Sequence, residues 1–326
     1  MPRGQRVKPG VRRFAAADAL PPSRPMTVRA GDGTALHAEV FGPDDGYPIV
    51  LAHGITCALR VWAHQIAELS RDYRVIAYDH RGHGCSGVPT RRANYGLNFL
   101  AADLDAVLEA TLRPGERAVV AGHSMGGIAI TSWSERYPRR VTDRVDAVAL
   151  INTTTGDLLR HVKLAPVPAP FTTARVRAGE TLLRTFGAAP LLRASERPSR
   201  RFVSMMAVGR DADPAIADFV YELFTETPAV SRGGWARALI DSLGTHRHIG
   251  LHNLTVPTLV IGSQRDRLLP MVSSRHIARM APNLAQFVEL PGGHCAILER
   301  PDDVNAHLRW LAESVGGERE RADSAG

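Results

Sequence analysis

The sequence predicts an α/β fold, a doubly wound and mostly parallel sheet, and three observations carry that expectation. Short apolar runs of strand length alternate with segments of helical periodicity, as successive βαβ units require. Gly122-His123-Ser124-Met125-Gly126-Gly127 stands between one such run and one such amphipathic segment. The alternation fails from about Thr155 to about Thr255 and resumes at Pro257, which reads as an insertion into one large domain.

Met26 to Ala30 and Ala35 to Phe41 flank the turn Gly31-Asp32-Gly33 and read as a hairpin. Pro48 to Ala52 is a strand, Val61 to Leu69 a helix and Tyr73 to Tyr78 the next strand. Phe99 to Leu112 is an amphipathic helix ended by Pro114-Gly115. Arg117 to Ala121 is a short buried strand, Ile128 to Tyr137 a helix and Val145 to Asn152 a strand. The insertion is punctuated by prolines between Pro166 and Pro228. It carries helix-like pieces at Ala215 to Phe224 and Trp235 to Leu243 and no strand-like run. Pro257 to Gly262 and Phe287 to Leu290 are strands, and Ala296 to Trp310 is the last helix. The expected division is a disordered basic tail over 1–25, a core over 26–154 and 256–315, a helical insertion over 155–255 and a frayed tail over 316–326.

Composition excludes several classes. The 44% hydrophobic and 22% charged residues are ordinary globular values. The longest apolar runs fall far short of the roughly 20 residues that span a bilayer, so no transmembrane segment is expected. The net charge of +7 collapses once located: residues 1–25 carry Arg3, Arg6, Lys8, Arg12, Arg13 and Arg24 against Asp18, leaving about +2 elsewhere. A solvated extension explains that better than a nucleic-acid partner. Asp18 and Pro21-Pro22 interrupt the apolar stretch an export signal would need after Arg12-Arg13. Cys57, Cys85 and Cys295 are odd in number and without C-x-x-C spacing, which fits packing residues in a reducing cytoplasm rather than a disulfide framework or a metal site.

Ser124 is the centre of the chemistry. A strand that turns sharply into a helix holds its middle residue exposed and strained, and Gly122 and Gly126 are needed because side chains there would collide across the turn. The helix N-terminus behind Ser124 offers free N–H groups and a positive dipole end to a developing oxyanion. Asp266 and His294 each follow a strand, where open α/β sheets place their sites.

With these motifs the chain resembles the α/β-hydrolase superfamily, from about Val28 to about Val315. The matching segments are Leu51-Ala52-His53-Gly54, Asp79-His80-Arg81-Gly82-His83-Gly84-Cys85-Ser86-Gly87, the Ser124 turn, Gly262-Ser263-Gln264-Arg265-Asp266 and Gly292-Gly293-His294. The order Ser, acid, His is that of the superfamily. The resemblance implies a Ser124–His294–Asp266 triad, an oxyanion hole from the backbone N–H groups of Ile55 and Met125, and a helical cap. No second nucleotide motif and no metal motif is present, so no cofactor and no metal is expected. Among members, esterases and monoacylglycerol-lipase-like enzymes share this motif combination, whereas epoxide hydrolases and haloalkane dehalogenases use Asp at the turn. The expected activity is a cytoplasmic serine hydrolase of a small carboxylic ester. Cofactor-free haloperoxidases (perhydrolases), C–C bond hydrolases and acyltransferases on the same triad are the alternatives, and a non-catalytic binding homologue is another. Some members carry the acid after the strand before the cap, which makes Asp157 the competitor of Asp266. His53, His83 and His123 are expected to be structural, Asp79 and Arg81 to fix their loop, and Trp62 and Trp235 to line an acyl pocket or the core.

Overall fold

The structure, a computed structural model, describes residues 14–158, 181, 196–244 and 247–323. Runs rich in Val, Ile, Leu and Ala form the middle of one eight-stranded sheet. In chain order the strands are β1 (Ser23–Arg29), β2 (Ala35–Phe41), β3 (Pro48–Ala52), β4 (Arg74–Tyr78), β5 (Ala118–His123), β6 (Val145–Ile151), β7 (Thr258–Ser263) and β8 (Leu284–Leu290). Their spatial order is β1-β2-β4-β3-β5-β6-β7-β8. Only the pairs β1/β2 and β2/β4 are antiparallel. The other pairs are parallel. Strands β3 to β7 are buried at every position, as parallel strands covered on both faces must be.

The helices are α1 (Ala15–Asp18), α2 (Ala63–Leu69), α3 (Leu97–Thr111), α4 (Met125–Arg136), α5 (Pro138–Arg144), α6 (Glu196–Ala207), α7 (Pro214–Glu226), α8 (Ala229–Leu243), α9 (Met271–Met280), α10 (Ala296–Glu299) and α11 (Pro301–Asp323). Ile66 and Leu69 of α2 and Val304, Leu308 and Leu311 of α11 pack with one set of sheet residues. Leu104 and Leu108 of α3, Trp133 of α4 and Ile277 of α9 pack with another. A smaller cluster joins Trp235, Leu239 and Leu243 of α8 to Met125 and Ile128 at the start of α4, so the insertion is seated over the Ser124 turn. No helix among the described residues is long and apolar enough to cross a membrane.

Both chain ends differ from expectation. The tail expected over 1–25 is anchored at a few partly buried residues where it is described. Phe14 stacks on Phe219 at 4.8 Å and meets His64 edge-on at 5.2 Å. Ala17 and Leu20 also lie against the core, and β1 already begins at Ser23. Residues 1–13, with most of the basic charge, lie outside the described residues. The charge count concealed these few apolar anchors. At the other end α11 remains helical to Asp323, where fraying was expected from Gly316. Gly costs a helix only about 1 kcal/mol, while the Glu and Arg residues that follow are strong helix formers. The single helix expected over Ala296 to Trp310 is two, because Pro301 interrupts the ladder and starts α11.

Candidate active site

Ser124 lies between β5 and α4 with φ 54° and ψ −116°, a conformation that L-residues adopt only under restraint. The restraints are visible. Its N–H donates to Ile151 O at 3.0 Å, and its carbonyl accepts from Gly127 N–H at 3.0 Å and Thr153 Oγ1 at 2.7 Å. A Cβ on Gly122 would stand 2.4 Å from the Gly126 carbonyl carbon, and one on Gly126 would stand 2.0 Å from Ala52 O. Hydrogen at both positions lets the helix pass the sheet this closely. The loop after β3 also reaches the serine: a Cβ on Gly54 would lie 3.1 Å from Ser124 Cβ.

Asp266 and His294, from the ends of β7 and β8, are brought together. His294 Nδ1 is 2.8 Å from Asp266 Oδ2. That oxygen also accepts from Asn152 Nδ2 at 2.9 Å. Asp266 Oδ1 accepts the N–H groups of Leu268 at 2.9 Å and Leu269 at 2.8 Å. Four donors therefore fix a fully buried carboxylate. Asp157 is elsewhere, its Oδ2 3.5 Å from His248 Nε2. Asn152, at φ 45°, occupies the end of β6 where an acid was considered, and it orients Asp266 instead. Sequence reading missed it, since an Asn at a strand end carries no signal of its own.

The loop bearing Ile55 is held by buried imidazoles. His53 Nδ1 donates to Gly54 O at 2.7 Å, and its Nε2 accepts His80 N–H at 3.0 Å. His80 Nε2 donates to His53 O at 3.0 Å. His83 Nδ1 donates to Arg81 O at 3.2 Å, while its Nε2 accepts the N–H of Thr56 at 3.0 Å, the residue after Ile55. His123 Nε2 donates to His294 O at 2.9 Å, tying the turn of the serine to the loop of the histidine. Burial, reinforced by neighbouring rings, lowers His80 and His123 to about 3. Burial lowers His83 to about 4 and takes His53 well below its ordinary value. All four are neutral near pH 7, each with a protein group at one or both ring nitrogens.

Asp79 and Arg81 do fix their loop, though not by pairing with each other. Asp79 accepts the N–H groups of Leu59 at 2.7 Å and Cys85 at 2.8 Å. Arg81 forks onto Asp103 at 2.6 and 2.5 Å, reaches Asp32 at 2.8 Å, and its carbonyl accepts Trp235 Nε1 at 3.1 Å. Trp62 and Trp235 are core residues, fully buried. Among the described residues His37, Asp79 and Cys85 bring potential metal-ligating atoms within 4.8 Å of one another. Both Asp79 oxygens already accept backbone N–H groups, and the His37 ring bonds Glu39 at 3.0 Å, so these residues serve the loop. Cys57 and Cys295 are buried, and burial pushes Cys57 to about 12 and Cys295 well above the usual thiol value. Cys85 is exposed.

The end of α6 is strapped to the histidine loop. Cys295 N–H donates to Ala207 O at 3.0 Å, and Glu299 Oε2 accepts the N–H groups of Gly209 at 3.0 Å and Gly293 at 2.8 Å.

A sheet of this order, with a strained serine after β5 and an Asp–His pair after β7 and β8, defines one class, and the chain belongs to it: the model of the alpha/beta hydrolase fold matches residues 47–301. The chain is 40% identical over 121 residues to the non-heme chloroperoxidase of Streptomyces lividans, a match covering 36% of this chain and 42% of that protein. It is 30% identical over 263 residues to a Variovorax paradoxus protein provisionally named carbamate hydrolase RutD, covering 79% and 89% of the two chains. Among solved structures, a thermophilic esterase from Thermogutta terrifontis superposes with a TM-score of 0.70 at 22% identity, over 90% of this chain and 99% of that one. The enol-lactonase from Burkholderia xenovorans superposes with a TM-score of 0.69 at 24% identity, over 88% and 99%. At such identity these two speak for the fold alone.

Proposed function

We propose that the protein is a serine hydrolase that cleaves the carboxylic ester of a small acyl compound through a covalent acyl-enzyme on Ser124. The observation that carries this reading is the 2.8 Å contact of His294 Nδ1 with Asp266 Oδ2, on a loop that His123, the neighbour of a serine held at positive φ, ties to the serine turn. With its Nδ1 proton given to Asp266, His294 keeps the Nε2 lone pair for the serine proton. Ser124 Oγ forms a bond to the acyl carbon as that proton moves to Nε2. The tetrahedral oxyanion is met by the N–H groups of Met125 and Ile55. Met125 opens α4, so its N–H has no acceptor within the helix. Loss of one such donor costs about 10²–10³ in rate. The alcohol leaves with the proton from His294, and water, deprotonated by the same ring, releases the acid.

The helices between β6 and β7 act in this reading as a cap over the acyl site, and the protein works in the cytoplasm without a cofactor. The likeness to a chloroperoxidase favours a second use of the same acyl-enzyme, in which hydrogen peroxide replaces water and a peracid leaves. A fluorophosphonate probe tests the nucleophile: it should label the wild type covalently and fail to label a folded Ser124→Ala variant. Equal labelling of that variant removes Ser124 from the mechanism. p-Nitrophenyl esters of graded chain length, with and without peroxide, then assign the acyl group and the acceptor.

A further inference from the structure

Between α6, the start of α7 and the turn Gln264–Arg267 lies a groove of about 1110 Å³. Arg197, Arg200, Arg201, Arg210, Arg265 and Arg267 line it. Arg200 pairs with Asp218 and Arg265 with Asp211, and Asp266 is taken by His294. Among the described residues the other four arginines meet no carboxylate. Arg197 and Arg201 stand one helical turn apart on α6, where like charges repel, so the helix carries an electrostatic cost that nothing described in the protein offsets.

The place matters as much as the charge. Gln264 and Asp266 form one wall of the groove, and Val208 and Gly209 belong to another. Those last two adjoin Ala207, whose carbonyl accepts from Cys295 beside His294. The groove is thus bounded by the segments that hold the Asp–His pair, and its volume suits a ligand of many heavy atoms.

We propose that this groove binds a multiply charged oxyanion, and that the acyl substrate carries such a group remote from its ester. The second half rests on the hydrolase reading; the first does not. Guanidinium forks match the oxygens of a phosphate or a carboxylate in pairs, which a solvated ammonium does not. Binding energy from that remote group orients the scissile carbonyl at Ser124.

Calorimetry on the full chain at low salt tests the site, with inorganic pyrophosphate and citrate as probes. Saturable binding is expected, weakening as salt screens the arginines. The triple variant Arg201→Gln, Arg210→Gln, Arg267→Gln should bind about 30-fold more weakly, roughly threefold for each exposed charge removed. Tighter pyrophosphate assigns a phosphate-bearing ligand and tighter citrate a carboxylate-bearing one. Absent binding, or equal binding by a folded triple variant, overturns the proposal. The kinetic arm compares the 4-nitrophenyl ester of 4-phosphonobutanoic acid, which carries a phosphonate remote from its ester, with the neutral analogue whose phosphonate is dimethylated. The anionic-to-neutral ratio of kcat/KM should fall in the triple variant, and an unchanged ratio overturns the substrate half. Hydrolysis of neither ester by a wild type that binds pyrophosphate would strike the hydrolase reading and leave the groove standing.

Discussion

Replacing Asp266 by Asn probes the candidate triad with the least change of shape. In the wild type Oδ1 accepts two backbone N–H groups, from Leu268 and Leu269, while Oδ2 faces Asn152 and His294. The new side chain has one oxygen and one NH₂. Turning the NH₂ toward Leu268 and Leu269 would set it against two fixed donors, so the oxygen takes the Oδ1 place and the NH₂ faces His294. Asn152 can answer by turning its own oxygen inward, because its other contact, the Ser263 hydroxyl at 3.3 Å, can accept as well as donate. The imidazole has no such freedom. Its Nδ1 must become an acceptor, which puts the proton on Nε2 and leaves no base for Ser124. In a serine protease triad this wrong tautomer costs about 10⁴ in turnover. We expect kcat on a p-nitrophenyl ester to fall by some three to four orders of magnitude, as that comparison sets the scale, with KM within several-fold. Asp157→Asn, whose carboxylate sits by His248, should change kcat little. An Asp266→Asn enzyme within about tenfold of wild type, or the reverse ranking of the two variants, would refute the tautomer argument.

Acid should unfold the protein through its silent histidines. An unfolded His titrates near 6.5, whereas His80, His83 and His123 are lowered to about 3, 4 and 3 by burial, so the unfolded chain binds more protons throughout the window between. Stability is therefore full above pH ~6.5 and falls as pH drops toward ~4; at pH 5.5 each ring removes about 1.4 kcal/mol, roughly 4 kcal/mol for the three. Urea melts at pH 7.5 and 5.5 read this directly, and equal midpoints would show that the rings titrate normally. Phe14→Ala removes the stack on Phe219 and should lower Tm by about 2–4 °C without touching kcat, since such a pair is worth roughly 1 kcal/mol beyond its burial. An unchanged Tm would return these residues to the status of a solvated tail.

The core of the fold was legible because its signals are local. Val119 to Gly127 encodes strand, turn and helix in a few residues, and each strand from β3 to β7 is an apolar run bounded by turn residues. Asp266 and His294 were legible through those strands, because a parallel sheet delivers its strand ends to one edge. What escaped is non-local. The amide of Asn152 acquires its role only from a carboxylate on a neighbouring strand. Phe14 looks like a lone aromatic among arginines until Phe219 arrives from the insertion. Pro138–Arg144 and Met271–Met280 escaped as well: the first is about two turns of mostly polar residues, and the polar run Ser273 to His276 breaks the apolar pattern of the second.

The strap between α6 and the histidine loop has a mechanical consequence. A cap joined to its core by slack chain can swing as a door, admitting substrate while the catalytic groups stay in register. Here Ala207 and Gly209 are bonded on one side to Cys295 and on the other, through Glu299, to Gly293, the two neighbours of His294 in the chain. Displacing the foot of α6 therefore pulls on His294, the residue that in the proposed mechanism receives the serine proton. On the proposed mechanism, admission and proton transfer would share one lever, and whatever seats against that helix would also tune how squarely the imidazole meets its serine.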